Sequence, residues 1–227
     1  MNDPRIDRLA EILVDHSCRL TPGDKVLIEA FDLPEPTLVC RLIELAAARG
    51  ALPFVTWKCN EVLRSLYRTG VEANIALAGE HEKHLMEKMD AYIGVRGSAN
   101  TSELSDVPAD KMDLYQRLWW QPVHIAERVR NTRWVVLRYP TPSMAQAARM
   151  STRAFEDYYF DVCTADYAQM ARNQEPLRKR MEAADRVRLK APGTDLEFSI
   201  AGIPVVCCNG RRNIPDGEVF KIGRAHV

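Results

Sequence analysis

Short apolar runs alternate with amphipathic segments through the first 140 residues, and this alternation constrains the fold more than any other feature. Four such runs are typical of buried strands: K-V-L-I-E-A at 25–30, A-L-P-F-V-T-W at 51–57, A-Y-I-G-V-R-G at 91–97 and R-W-V-V-L-R-Y at 133–139. Between them, apolar residues recur at helical spacing, as in Leu38, Leu42 and Leu45. This order predicts an α/β domain, a mostly parallel sheet with helices on both faces.

The pattern changes after residue 140. Prolines in Y-P-T-P-S mark a boundary, and a helix-rich stretch follows. From residue 186 the apolar period becomes two, because R-V-R-L-K and L-E-F-S-I flank the turn A-P-G-T-D, and this predicts a β-hairpin. We therefore expect an N-terminal α/β domain at 1–140, a helical connector at 141–185 and, at 186–220, the opening hairpin of a second, β-containing domain.

Charge and composition exclude several classes of protein. Lys plus Arg and Asp plus Glu both number 31, so the formal charge is zero, which argues against a nucleic acid or an anionic membrane as partner. No stretch approaches the roughly 20 apolar residues of a membrane helix. The polar start M-N-D-P-R-I-D-R is unlike a signal peptide. Since the six cysteines show no CxxC spacing, we expect reduced thiols in a cytoplasmic protein.

Nucleotide binding is one alternative for the α/β domain. The loop after the first strand, A-F-D-L-P-E-P-T, has no glycine that would let its backbone approach a pyrophosphate. Gly94 and Gly97 bracket a strand end and do not open a helix. Both observations argue against a nucleotide site. A nucleotide-dependent enzyme is kept as one alternative, and a non-catalytic binding or scaffold module is another.

Histidines supply a second set of candidates. His81 and His84 lie three residues apart on a predicted helix, a spacing that allows a shared metal. Their neighbours are charged, which favours a solvated helix face. His16 and His124 are isolated, and we interpret each as a packed or surface histidine.

Thiols and aromatic residues allow similar alternatives. The vicinal pair Cys207 and Cys208 is either a metal or redox feature or two thiols of a strand or loop. Two aromatic clusters are candidates for a ligand groove, although core packing or a subunit contact is the favoured interpretation: Trp119-Trp120 and Tyr158-Tyr159-Phe160.

The segment N-I-P-D-G is followed directly by Glu218, whose carboxylate precedes the apolar pair Val219-Phe220. Proline fixes one backbone angle and glycine permits a left-handed one, so this loop can hold a rigid path. A carboxylate beyond such a loop can be aimed at a metal or a substrate amine. The same pattern also occurs in ordinary turns.

Five blocks spread across the chain resemble the thermophilic-type metallo-aminopeptidases, the family of aminopeptidases T and S. They are L-V-D-H-S-C-R-L-T-P-G-D-K-V-L-I-E, A-N-T-S-E-L-S-D-V-P, P-S-M-A-Q-A-A-R-M-S-T-R-A-F-E-D-Y, G-T-D-L-E-F-S-I-A-G and N-I-P-D-G-E-V-F. Their order and spacing are more specific than any single block.

The resemblance implies a dimeric enzyme that removes N-terminal amino acids from peptides with two divalent ions. In that family an α/β domain precedes the metal-binding domain, and the glutamate of the N-x-P-x-G-E motif is the first ligand. That residue here is Glu218. Paired ions activate a water and polarise the scissile carbonyl, so no covalent nucleophile is required. Oxygen and imidazole ligands suit Zn²⁺, Co²⁺ or Mn²⁺.

The end of the chain departs from the family pattern. The remaining ligands implied by the resemblance, a second glutamate, two histidines and an aspartate, lie farther downstream than the nine residues that follow Glu218, and His226 matches none of them. The hexapeptide I-G-R-A-H-V back-translates to ATC GGA AGA GCA CAC GTC, which resembles a sequencing-library adapter. We therefore expect residues 221–227 to be a non-native tail and the chain to be an N-terminal portion that is inactive alone.

Overall fold

The computed structural model describes residues 3–222, so most of the predicted tail, including His226, lies outside the described residues. Within them the chain divides into two compact units. The first contains residues 3–165 and 211–215, and the second contains residues 166–210 and 216–222. The domain boundaries expected from the sequence stay predictions.

The first six strands follow the predicted apolar runs, and three strands of two residues each come after them. Their bounds are β1 Lys25–Phe31, β2 Leu52–Lys58, β3 Ala91–Arg96, β4 Arg133–Arg138, β5 Arg186–Ala191, β6 Thr194–Ser199, β7 Val206–Cys207, β8 Asn213–Ile214 and β9 Val219–Phe220. In the described part of the first unit, five strands form a parallel sheet in the order β2-β1-β3-β4-β8. Central strand β1 buries Val26, Leu27 and Ile28 completely. The predicted α/β fold with a mostly parallel sheet is confirmed.

Helices connect the strands. They are α1 Pro4–Glu11, α2 Thr37–Ala48, α3 Asn60–Thr69, α4 Glu72–Met86, α5 Ala109–Tyr115, α6 Val129–Asn131, α7 Pro142–Ala147, α8 Thr152–Cys163 and α9 Tyr167–Ala183, with π-helical segments at Ile12–Ser17 and Gln116–Arg128. Side-chain caps fix several starts, because Asp3, Ser151 and Asp166 each accept a hydrogen bond from a backbone N–H of the first turn. Across residues 3–222, no helix is both long and apolar enough to cross a membrane.

The second unit contains the predicted hairpin. Strands β5 and β6 pair antiparallel, with Ala191 opposite Thr194 on either side of the turn, where Gly193 has a φ of 74°. Leu189 lies opposite Leu196, as the alternation of apolar residues predicts. Both side chains are about half exposed within the described residues.

The segment N-I-P-D-G is not a single turn. Asn213 and Ile214 form β8, which pairs parallel with Val136 and Leu137 of β4, and Ile214 is buried. The sequence interpretation missed this strand because two residues are too few to show a period.

Replacing Gly79 by alanine is expected to destabilise the first unit by about 1–3 kcal/mol. Helix α4 packs here against the second π-helical segment, and a Cβ on Gly79 would clash with the carbonyl oxygen of Leu118 and lie 3.0 Å from the Cα of Trp119. Backbone atoms cannot rotate away as a side chain can. Urea denaturation measures the loss, with Gly217→Ala as control, because its Cβ would make only ordinary contact with Met170. Unchanged stability of Gly79→Ala would contradict the expectation.

Candidate functional site

Glu218 directly precedes β9, which pairs antiparallel with β7 in the second unit. The backbone N–H of Cys208 donates to the carbonyl oxygen of Glu218 at 2.8 Å. The buried side-chain amide of Gln174 donates to the carbonyl oxygens of Cys208 at 2.7 Å and Glu218 at 3.4 Å. The backbone of Glu218 is therefore held in place, while the residue is exposed to solvent.

The loop before Glu218 is held by a side chain and not by a left-handed glycine. The carboxylate of Asp216 accepts a hydrogen bond from the backbone N–H of Gly210 at 2.9 Å. Gly217 lies outside the left-handed region, so the role that the sequence interpretation gave to this glycine is wrong. The Ile214–Pro215 peptide bond is cis.

Cys208 is the thiol next to Glu218. Its Sγ lies 3.9 Å from Oε1 of Glu218. Burial raises the pKa of the Cys208 thiol to about 11, and the negative charges of Asp216 and Glu218 act in the same direction. The thiol is therefore protonated at neutral pH. Cys207 belongs to β7, and both cysteines are free thiols.

His81 and His84 lie on helix α4 and are both exposed. The Nδ1 atom of His84 is 3.9 Å from a carboxylate oxygen of Glu87. Among the residues that the structure describes, no three His, Cys, Asp or Glu side chains lie close enough together to hold a metal. The pair therefore occupies a solvated helix face.

A cavity of about 480 Å³ opens at the carboxyl ends of four parallel strands in the first unit. Register pairing places Lys58, Phe31, Arg96 and Arg138 in one row across β2, β1, β3 and β4. Trp119 closes one side, and its indole packs edge-on against Tyr67 at a ring-centroid distance of 6.0 Å. The volume is typical of small-molecule sites.

The second aromatic cluster is only partly in the core. Tyr159 and Phe160 are buried, and their rings pack edge-on at 5.3 Å. Tyr158 is half exposed. Tyr158 and Tyr159 also line a second cavity of about 400 Å³, so each of the two clusters contributes both to the core and to a cavity.

A network of buried ions forms the floor of the cavity. The Nζ atom of Lys58 lies 2.6 Å from carboxylate oxygens of both Glu29 and Glu82. Arg128 approaches the same two carboxylates at 3.4 and 3.3 Å, so two cations neutralise two anions. Glu29 is only 1% exposed. A charged carboxylate can be buried to this extent only because cations pair with it.

Gly94 makes the network possible. A Cβ on Gly94 would lie 2.8 Å from the hydroxyl oxygen of Tyr92, and that hydroxyl donates to Glu29 at 2.6 Å. Gly97 is likewise required by packing, since its Cβ would lie 2.8 Å from a side-chain carbon of Leu33. Both glycines therefore have packing roles.

His124 lies on the wall of this cavity. Its Nδ1 is 3.3 Å from Nη1 of Arg128. Burial, together with the positive charges of Arg128 and Arg96, lowers the pKa of His124 to about 4. The ring is therefore neutral at pH 7. Because a guanidinium has no acceptor, Nδ1 accepts and the ring proton resides on Nε2.

Comparison with known proteins gives the family. The model of the thermophilic metalloprotease family M29 matches residues 2–225. The chain belongs to this family. No curated protein sequence matches this M29 chain.

Two solved structures resemble the M29 chain. Wild-type AmpT from Thermus thermophilus has a TM-score of 0.72 and 20% sequence identity, with 96% of this chain and 61% of AmpT covered. A 2,5-dihydroxypyridine dioxygenase from Pseudomonas putida KT2440 has a TM-score of 0.51 and 12% identity, with 97% and 56% covered. Identities this low show the shared fold alone. The chain spans about three fifths of the length of the AmpT structure.

The surroundings of Glu218 can be compared with the needs of a two-ion site. Two divalent ions require several carboxylate and imidazole ligands. Within residues 3–222, Glu218 has one thiol beside it and no cluster of three potential ligands includes it. The described residues therefore do not by themselves fit a two-ion site, and Glu218 is a single candidate ligand.

The sequence analysis missed the ion network. Its one available signal was Glu29, a charged residue inside the otherwise apolar run K-V-L-I-E-A. A buried carboxylate requires a buried cation, but the sequence does not show which one. Lys58, Glu82 and Arg128 come from three separate elements, and only the fold brings them to Glu29.

Proposed function

We propose that the whole protein is a metal-dependent aminopeptidase that releases N-terminal amino acids from peptides. The observation that carries this proposal is membership of a metalloprotease family across residues 2–225. The fold shared with AmpT is compatible with it. Two divalent ions, Zn²⁺, Co²⁺ or Mn²⁺, are proposed as cofactors.

Glu218 is proposed as the first ligand of the metal site. Its backbone is fixed by hydrogen bonds from Cys208 and Gln174, while the residue remains exposed. A ligand on a fixed backbone loses little freedom on binding an ion. The other ligands are proposed to lie outside the described residues.

A homodimer in the cytoplasm is also proposed. Edge strand β2 exposes four large apolar side chains, and such a group of residues favours contact with another protein surface: Leu52, Phe54, Val55 and Trp57. Sedimentation of the whole protein at several concentrations tests the dimer.

Chelation tests the proposed activity. We expect the whole protein to release N-terminal residues from short peptides, to lose this activity after treatment with a chelator and to regain it with Zn²⁺, Co²⁺ or Mn²⁺. Amino-acid release is measured by chromatography. The isolated 227-residue chain, whose described part offers one candidate ligand, is expected to bind no ion tightly. Undiminished turnover in chelator would exclude a metal-dependent enzyme.

A further inference from the structure

The cavity at the carboxyl end of the sheet lies where open α/β sheets bind ligands. The chain leaves β1 towards β2 on one side and then returns to β3 on the other side of β1. At such a switch point the connecting segments diverge and leave a crevice beyond the strand ends. The residues that end the strands line this crevice.

Two of the cations in the cavity have no anion of their own. Arg96 and Arg138 are register partners at the ends of β3 and β4, so their side chains leave the sheet on the same face. Neither forms an ion pair within residues 3–222, whereas Lys58 is neutralised by the two buried glutamates. Uncompensated positive charge is therefore concentrated at one part of the cavity.

Two further groups that line the cavity are hydrogen-bond donors. Neutral His124 carries its proton on Nε2, and the Nε of buried Arg128 has no hydrogen-bond partner among the described residues. The remaining carboxylate on the wall, Glu103, already accepts a hydrogen bond from Asn100 at 3.0 Å. A cavity that offers donors and free cations selects an anion.

Five aromatic side chains also form part of the wall. Phe31, Tyr67, Tyr115, Trp119 and Trp120 line the cavity. Trp120 is partly exposed and stacks on His124 at a ring-centroid distance of 5.1 Å. These rings provide apolar contact for the body of a ligand whose charged end is held by the arginines.

We propose that this cavity binds a small carboxylate with an aromatic or aliphatic body, of about the size of an N-acylated amino acid. Arg96 and Arg138 hold the carboxylate, because a planar guanidinium matches the two oxygens of that group. Trp119 and Trp120 contact the body. The inference concerns the first unit and does not depend on the peptidase activity.

Calorimetric titration of the 227-residue chain with N-acetyl-L-phenylalanine tests the proposal. Saturable binding at one site is expected, and N-acetyl-L-phenylalaninamide, which lacks the charge, is expected to bind at least about tenfold more weakly. The double variant R96Q/R138Q is expected to weaken binding of the acid at least about tenfold. Arg130→Gln is the matched control, because Arg130 is an exposed arginine of the same unit that does not line the cavity.

Three outcomes would overturn the proposal. One is equal binding of the acid and the amide, and another is undiminished binding by R96Q/R138Q. The third is no saturation with N-acetyl-L-phenylalanine up to about 10 mM. A second titration, with phenyl phosphate, distinguishes a carboxylate site from a phosphate site. If phenyl phosphate binds and N-acetyl-L-phenylalanine does not, the site is one for phosphates. If the double variant does not fold, the single variants R96Q and R138Q provide the same comparison.

Discussion

Replacing Glu218 by glutamine is expected to lower peptide turnover by the whole protein at least about a hundredfold, because loss of even an outer-shell partner of a metal ligand costs 10- to 100-fold. The substitution keeps the shape of the side chain and removes its negative charge. Within the described residues the contact of the Glu218 carboxylate is a long one, from the Cys208 thiol at 3.9 Å, so folding should depend little on its charge. Turnover and bound metal, measured on the same preparation, provide the two readouts.

The control for this experiment is Glu197→Gln. Glu197 is an exposed carboxylate of β6 in the same unit, and it pairs with Arg186 at 2.8 Å. We expect Glu197→Gln to retain both turnover and metal. If Glu218→Gln kept full turnover and its full metal content, Glu218 would not be a ligand.

Replacing Glu29 by glutamine is expected to lower the free energy of unfolding by about 3–5 kcal/mol. The change removes one of two anions from a buried network and leaves Lys58 and Arg128 facing Glu82 alone. Arg128 is 5% exposed, so water cannot replace the lost anion. Urea denaturation at pH 7, followed by circular dichroism, measures the difference.

The effect of Glu29→Gln should depend on pH. Burial raises the pKa of the Glu29 carboxyl, but the charges of Lys58 and Arg128 outweigh it and hold that pKa below its ordinary value of 4.5. A carboxyl with a lowered folded-state pKa stabilises the protein fully above the ordinary value and loses that contribution as the pH falls through the folded-state value. The difference in stability between wild type and variant should therefore shrink below about pH 4.

Glu44→Gln is the control for Glu29. Glu44 also pairs with an arginine, Arg41, at 3.1 Å, but its side chain is 64% exposed. An exposed pair of this kind contributes between about 0 and 1 kcal/mol. Equal destabilisation by Glu44→Gln and Glu29→Gln would show that burial of the network is not the cause.

Most of the first unit could be predicted from the sequence because its strands are local apolar runs. The runs at 25–30, 51–57, 91–97 and 133–139 agree with β1 to β4 to within one residue at each end. Strand β8 could not be predicted, since Asn213 and Ile214 become a strand only by pairing with β4. A pairing between residues 77 positions apart leaves no local pattern.

One of the two candidate sites could be predicted from the sequence and the other could not. Glu218 was predicted from a short contiguous motif together with the family resemblance, and the structure adds the contacts that hold its backbone. The cavity was not found, because Arg96, Arg138 and His124 each belong to a different element and none is unusual in its own segment. Trp119 was recognised as a candidate, but the sequence did not show that it lines the cavity.

By itself, the sequence determined the alternation of strands and helices, the balance of charge and the motif that contains Glu218. The alternation and the motif depend only on the order of neighbouring residues, and the balance of charge depends only on composition. Only the tertiary structure decided that Glu29, Lys58, Glu82 and Arg128 neutralise one another. It also decided that Arg96 and Arg138 have no anionic partner among residues 3–222. Which charges meet depends on strand order and register, and these are set by packing between segments distant in the chain.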